Sequence, residues 1–194
     1  MNTNKLKLNP DKTEFILIGT KLQRSKLEGF FPTSIMDENL IPSDNVKNLG
    51  VIFDSDFSFT KHVSAVAKSC YYHIRDLSRI RRHLSRSTAI SLANALVSSR
   101  LDYCNSLFYS LSQKQQKRLQ NIQNTLCRVI TRTSRFSSIS HHMKSLHWLP
   151  VRSRVLFKLG LLIFKSIHNG IPNYLKQYLK PYFSARVTNQ ALKS

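Results

Sequence analysis

Apolar residues at three- and four-residue spacing begin after Phe59 and return in almost every later segment, which restricts most of this chain to helices packed on one another. Val63, Val66, Ala67, Cys70, Ile74 and Leu77 form the first such face, with Ser58 or Thr60 placed to cap it. Ser85 or Ser87 starts a second helix carrying Ile90, Ala93, Leu96 and Val97, whose continuation from Leu101 to Leu107 the pattern leaves open. Ser112 caps a third, with Leu119, Ile122, Leu126, Val129 and Ile130 on its apolar side. The polar, basic stretch from Thr131 to Ser140 reads as a loop, followed by a short helix from Ile139 to Leu146. Pro150 then opens a long helix, Val151 to His168, closed by Asn169-Gly170. In it Val155, Leu156, Leu159, Leu162 and Ile163 are expected to fill a helical core. Pro172 opens a last short helix that ends before Pro181.

Before Phe59 the period is that of strands and turns. Asn9-Pro10-Asp11 signals a turn, and Thr13 to Ile18, closed by Gly19, reads as a short β-rich run. Thr33 to Met36 and Asn39 to Ile41 flank Asp37-Glu38 as a small hairpin, and Val46 to Phe53 reads as one strand with Gly50 inside it. The expected fold is therefore α+β and helix-dominant. A β-rich segment (1–58) precedes a helical bundle (59–182), and 183–194 form a flexible tail.

The charge is distributed unevenly. Of 30 Lys and Arg and 10 Asp and Glu, all ten acids lie at or before Asp102, while the basic residues divide evenly at that point. A segment without carboxylates cannot cage Mg²⁺ and holds no acidic general acid or base. It is suited to lie against a polyanion, and a formal charge of +20 on a folded chain points to RNA or DNA. Three widely spaced cysteines, Cys70, Cys104 and Cys127, form no C-x-x-C pair and indicate neither a disulfide framework nor a zinc site. They suit a reducing compartment, and the expected location is nuclear or cytoplasmic; the basic run Arg79 to Arg86 could also serve as a nuclear-import signal. The N-terminus lacks an apolar signal core, and Val155 to Ile167 is too short and too interrupted by Lys158 and Lys165 to span a bilayer, so no membrane partner is expected.

Arg75, Arg79 and Arg82 recur at four and three, which aligns three guanidinium groups along roughly 10 Å of one helix face. Arg81, Arg86, Arg100, Lys117, Arg118 and Arg128 extend the basic field, and with so few acids to pair them the set is expected to contact phosphates. Other groups have plainer readings. Asp54-Ser55-Asp56 suits a turn into a helix cap rather than a metal pair. His141, His142 and His147 have no cysteine or acid nearby to complete a metal set. Trp148 and Tyr103 are expected to pack rather than to stack on bases.

Five blocks together carry a resemblance: Leu6-Lys7-Leu8-Asn9-Pro10-Asp11-Lys12-Thr13-Glu14; Val46-Lys47-Asn48-Leu49-Gly50-Val51-Ile52-Phe53-Asp54; Ser99-Arg100-Leu101-Asp102-Tyr103-Cys104-Asn105-Ser106-Leu107; Arg118-Leu119-Gln120-Asn121-Ile122-Gln123-Asn124; and Leu146-His147-Trp148-Leu149-Pro150-Val151-Arg152, leading into Asn169-Gly170-Ile171-Pro172-Asn173-Tyr174-Leu175. In this order, over about residues 5–182, they resemble the reverse transcriptase of non-LTR retrotransposons, of the LINE type close to the jockey group. The resemblance implies the end of a palm over 1–58 and a thumb-like bundle over 59–182. It implies a place for Lys12 near an incoming nucleotide and for Gly50 in a primer-supporting hairpin. The sequence departs from the family in having no Tyr-x-Asp-Asp and no upstream acidic palm motif. Two-metal phosphoryl transfer requires those carboxylates, so no catalytic or metal-binding residue is expected, and Mg²⁺ would enter only with a complete palm. The expectation is a nucleic-acid-binding fragment of an RNA-directed DNA polymerase that begins after the catalytic half. The alternative is a host-adopted or incidental helical module that docks a protein partner.

Overall fold

The structure, a computed structural model, describes residues 9, 13–27, 34–35, 38–39 and 42–180. Helix dominates it. Elements in chain order are α1 (Lys21–Ser25), β1 (Ser34–Ile35), β2 (Glu38–Asn39), β3 (Asn45–Asn48), β4 (Val51–Asp54), α2 (Thr60–Ile80), α3 (Arg86–Ala93), α4 (Ser99–Asp102), α5 (Gln113–Thr131), α6 (Ser140–Ser145), α7 (Val151–His168) and α8 (Asn173–Lys176). The fold class is α+β with helix dominant, as the sequence predicts. The expected tail, 183–194, and Lys12 lie outside the described residues.

The expected β-rich run Thr13 to Ile18 forms no strand; Phe15 makes a single parallel bridge to Pro42. Helix α1, which the sequence pattern did not indicate, follows it. Thr20 and Gln23 close a capping box there, each side chain satisfying the other's backbone N–H. β1 and β2 pair antiparallel, Ser34 opposite Asn39 and Ile35 opposite Glu38, so Glu38 belongs to a strand rather than to the turn. The single strand expected over Val46 to Phe53 is instead a hairpin. Asn45 to Asn48 pair antiparallel with Val51 to Asp54, and Leu49 (φ 46°) with Gly50 (φ 84°) form the two-residue turn. Two positive φ values in succession match the right-handed twist of paired strands, and this is the reason for a glycine here.

The hairpin docks on the bundle. Val51 is 3 % exposed and shares one core with Phe59, Val63, Leu77, Leu101, Leu119, Ile122 and Leu126, with Phe53 packed against them. α2 and α5 form the centre of that core. Each buries residues at helical spacing, His62, Val63, Ala67, Cys70, Ile74 and Leu77 from α2 and Leu119, Ile122, Gln123, Leu126, Cys127 and Ile130 from α5. Each fully buried aliphatic side chain contributes about 1.5–3 kcal/mol.

The start of α2 is held from outside itself. Its cap position is Phe59, which offers no side-chain acceptor. The Asp54 carboxylate at the end of β4 accepts from Ser58 N–H (2.6 Å), Ser58 O–H (3.0 Å) and Thr60 N–H (3.1 Å). Asp56 pairs with Arg24 of α1 at 2.6 Å. Both carboxylates of the Asp54-Ser55-Asp56 turn are thus committed to local structure.

Ser85 caps α3 by accepting from Thr88 N–H (3.1 Å). A π turn over Asn94–Ser98 links α3 to α4, so the helix runs on to Asp102. Extended Tyr103 and left-handed Cys104 then end it, and a 3-10 turn over Asn105–Ser110 follows. Asp102 accepts from Arg154 of α7, an ion pair that ties the last carboxylate of the chain to the segment that has none of its own. α7 begins and ends where its proline and Asn-Gly signals place it, but its apolar stripe is only partly covered. Val151 and Val155 are buried, whereas Leu156, Phe157, Ile163, Phe164 and Ile167 are exposed, so the expected full core contribution of this helix is corrected.

A buried histidine makes the core sensitive to acid. His62 is 4 % exposed, and its Nδ1 accepts from Ile52 N–H at 3.4 Å. The neutral ring therefore carries its proton on Nε2, which is buried with no hydrogen-bond partner among the described residues. Burial lowers the His62 pKa from its ordinary 6.5. The unfolded chain takes up a proton below pH 6.5 while the folded chain does not, so the stability His62 confers is complete above that pH and is lost as pH falls toward the depressed folded value. The urea midpoint is expected to drop between pH 7 and pH 5.5, with a limiting slope of about 1.4 kcal/mol per pH unit. His62→Gln, whose amide oxygen can still accept from Ile52, should flatten that part of the profile. An unchanged profile in the variant would remove the assignment to His62.

Candidate nucleic-acid interface

The basic residues divide by place in the fold. Arg75 and Arg79 lie exposed on α2, and Arg82 is exposed just beyond its end in a 3-10 turn. Arg79 has Asp76 at 3.4 Å, an exposed pair; Arg82 Nε donates to His83 Nε2 at 2.9 Å.

Arg81 is not exposed with them. It is 8 % exposed, with Nε and Nη2 donating to the Ile130 carbonyl (3.0 and 2.7 Å) and Nη1 to the Leu84 carbonyl (3.0 Å). These acceptors sit at the end of α5 and before α3. A cation there satisfies carbonyls that a helix terminus leaves unpaired and faces the negative end of the helix dipole. Arg132, left-handed at φ 54°, reaches back from the end of α5 to the carbonyls of Arg81 (3.1 Å) and Arg82 (3.2 Å). The end of α2, the start of α3 and the end of α5 therefore meet in one cationic corner containing Arg79, Arg81, Arg82, Arg86 and Arg132. Burial, and after it the charges of Arg132 and Arg86, push the Arg81 guanidinium below its ordinary pKa. Asp76 is the one carboxylate paired with any of these five among the described residues.

The remaining predicted contacts are dispersed. Arg100 is half-buried and donates to Ser69 Oγ (3.1 Å) and the Leu96 carbonyl (2.6 Å). Arg118 is exposed and donates to Ser64 Oγ at 2.9 Å. Arg128 is half-buried, and its Nε has no hydrogen-bond partner among the described residues. Lys117 lies with Arg152 at a cleft of about 510 Å³ between α5 and α7. Gly50 is exposed in its hairpin turn, where an added Cβ would meet the Tyr103 ring at 3.6 Å.

The sequence pattern did not single out Arg132 or Arg152. Arg132 stands in a stretch whose polarity suggested only a loop, and its role depends on carbonyls some fifty positions away.

Among the described residues, the 46–54 block meets the 99–107 block, and the 118–124 block meets the 146–152 block. Tyr103 donates its hydroxyl proton to the Leu49 carbonyl. Gln123, buried in the core, donates to the Leu149 carbonyl (2.8 Å), and Gln120 accepts from Val151 N–H (2.9 Å), supplying the cap that Pro150 cannot. The motif residues therefore hold the fold together, and the cationic corner stands apart from them.

For catalysis the described residues offer little. Asp54 and Asp56 do not fit a Mg²⁺ site, because their oxygens already hold the start of α2 and Arg24. Among the described residues no group of three His, Cys, Asp or Glu side chains is placed to hold a metal ion. All three cysteines are free, and burial raises the Cys70 and Cys127 thiols to about 11. No helix of the described residues is long and apolar enough to cross a membrane. No protein-family model, curated protein or solved structure matches the chain.

Proposed function

We propose that this chain binds RNA or DNA through phosphate contacts, as the thumb-like part of a retrotransposon RNA-directed DNA polymerase without the catalytic carboxylates. The observation that carries the reading is the cationic corner, where five arginines from three helix ends gather with one carboxylate paired among them. An arginine cluster without acids to neutralise it repels itself, and a phosphate backbone relieves that repulsion while releasing counterions. The five sequence blocks support the polymerase ancestry.

Anisotropy of a labelled RNA–DNA hybrid, titrated with the protein at several salt concentrations, tests the reading. The expected log–log slope is steeper than about −3, at roughly 0.9 per phosphate contact on a duplex. A slope shallower than about −1, or no binding at low salt, would overturn it.

One observation favours a protein partner as a second reading: Phe157, Phe164 and Ile167 of α7, with Tyr174 of α8, are exposed apolar side chains close together along the chain. Such a partner would bind through dispersion and area burial, with little salt dependence.

A further inference from the structure

A cavity of about 500 Å³ opens in the cationic corner, between the start of α3, the end of α5 and α6. Arg81, Arg86, Arg132, His141, His142 and Ser145 line it, and no carboxylate among the described residues does. The basic pattern in the sequence includes Arg81 and Arg86 but not Arg132, His141, His142 or Ser145, which only the fold brings beside them.

We propose that this cavity is a phosphoryl-binding site. Arg81 forms its floor: its guanidinium is fixed by three hydrogen bonds to backbone carbonyls, so it is already desolvated and oriented before a ligand arrives. Its remaining N–H groups have no protein acceptor among the described residues. Arg86 and Arg132 flank it from exposed positions, and neither has a carboxylate within ion-pair distance among the described residues. Forked guanidinium groups match the oxygens of a phosphate in pairs. His142, whose Nε2 lies 3.3 Å from Thr133 Oγ1, adds an imidazole to the lining, and Ser145, which also lines it, donates its hydroxyl proton to the His142 carbonyl at 2.9 Å. Burial first, and then the charges of Arg132 and Arg86, lower the Arg81 pKa, and an anion beside Arg81 would offset both effects.

The volume exceeds that of a bare phosphate and leaves space for the ester group attached to it. A backbone phosphodiester and a free phosphomonoester share the required chemistry. The first source rests on the nucleic-acid reading above; the site itself does not.

The test compares Arg86→Ala/Arg132→Asn with Lys158→Ala/Lys165→Ala, a pair of exposed α7 lysines whose loss changes the net charge equally. Asparagine is chosen at position 132 because it tolerates the left-handed backbone there. Circular dichroism checks that each variant folds. The two readouts are ³¹P line broadening of inorganic phosphate and of a nucleoside 5′-monophosphate, and anisotropy of a labelled RNA–DNA hybrid.

The expected result is loss of broadening and at least a tenfold rise in hybrid Kd in the arginine variant, with a change of threefold or less in the lysine variant. Broadening lost with hybrid affinity unchanged assigns the site to a free phosphomonoester. Hybrid affinity lost, with no broadening even in the unaltered protein, assigns it to a backbone phosphodiester held along with its neighbours. Equal effects in the two variants, or none in either, overturn the site. An unaltered protein that broadens phosphate but binds no hybrid keeps the site and removes the nucleic-acid reading; one that binds neither removes both.

Discussion

Replacing Arg75, Arg79 and Arg82 together with glutamate is expected to weaken hybrid binding by between about 10² and 10³ fold near 0.1 M salt, and to reduce the log–log slope by up to about 2.7. Each phosphate contact is worth roughly eightfold at that salt relative to 1 M, so three of them account for the range before any repulsion from the new carboxylates is added. The three side chains are exposed, and the Arg79–Asp76 pair, open to solvent on both sides, is worth at most about 1 kcal/mol and does not withdraw Arg79 from a phosphate. Glutamates near the end of α2 oppose the helix dipole at about 0.3–1 kcal/mol each. The glutamine triple variant avoids that cost and should lose the same slope with a smaller drop in affinity. Binding within about threefold of the unaltered protein in both variants would move the function away from this face. Retained capture of a protein partner alongside lost hybrid binding would show the exposed face of α7 to be a separate surface.

The helices were legible because their signals are local. Ser112, the Leu119–Ile130 stripe and the Pro150 and Asn169-Gly170 boundaries each act within a turn or two of their own position, and the structure places α5 and α7 accordingly. What escaped the pattern depends on distant partners. Gln123 sits in the core because its amide meets the Leu149 carbonyl, and a polar side chain carries no local mark of such a partner. Tyr103, where α4 ends, gives its hydroxyl proton to the Leu49 carbonyl of the hairpin, a partner more than fifty positions away. Arg75, Arg79 and Arg82, singled out by their spacing, are all exposed. Arg81, next to Arg82 in the sequence, turns inward because α2 ends at Ile80 and the 3-10 turn directs it to the end of α5. The strands fared worst: over Thr13 to Ile18 the described residues form an isolated bridge, Phe15 to Pro42, rather than a named strand, since β propensity depends on context as much as on the residues themselves.

Phe59→Ala is expected to lower stability by about 3–5 kcal/mol, roughly a fifth or more of the total of about 5–15 kcal/mol typical of a folded domain. Phe59 is fully buried, between the ring of Phe57 (5.2 Å between centroids) and that of Phe53 (5.7 Å), where the hairpin meets α2. Its backbone is left-handed, φ 55°, a conformation costly for a bulky side chain and kept only where packing over-determines it. Alanine keeps that backbone cost and forfeits the packing, so the site cannot collapse to recover the loss. Phe59→Leu, which retains most of the volume, should cost no more than about 1.5 kcal/mol. Asp54→Asn, which weakens the acceptor for Ser58 and Thr60 without emptying the core, should cost on the order of 1 kcal/mol. Urea unfolding with an unchanged m-value measures all three. A Phe59→Ala loss below about 1 kcal/mol would mean that the hairpin is not docked on the bundle in solution. Because the cationic corner is built from the far end of α2 and the ends of α3 and α5, the folded Phe59→Ala variant should keep the hybrid-binding salt slope of the unaltered protein. A slope lost with Phe59 would instead make the hairpin part of the nucleic-acid interface.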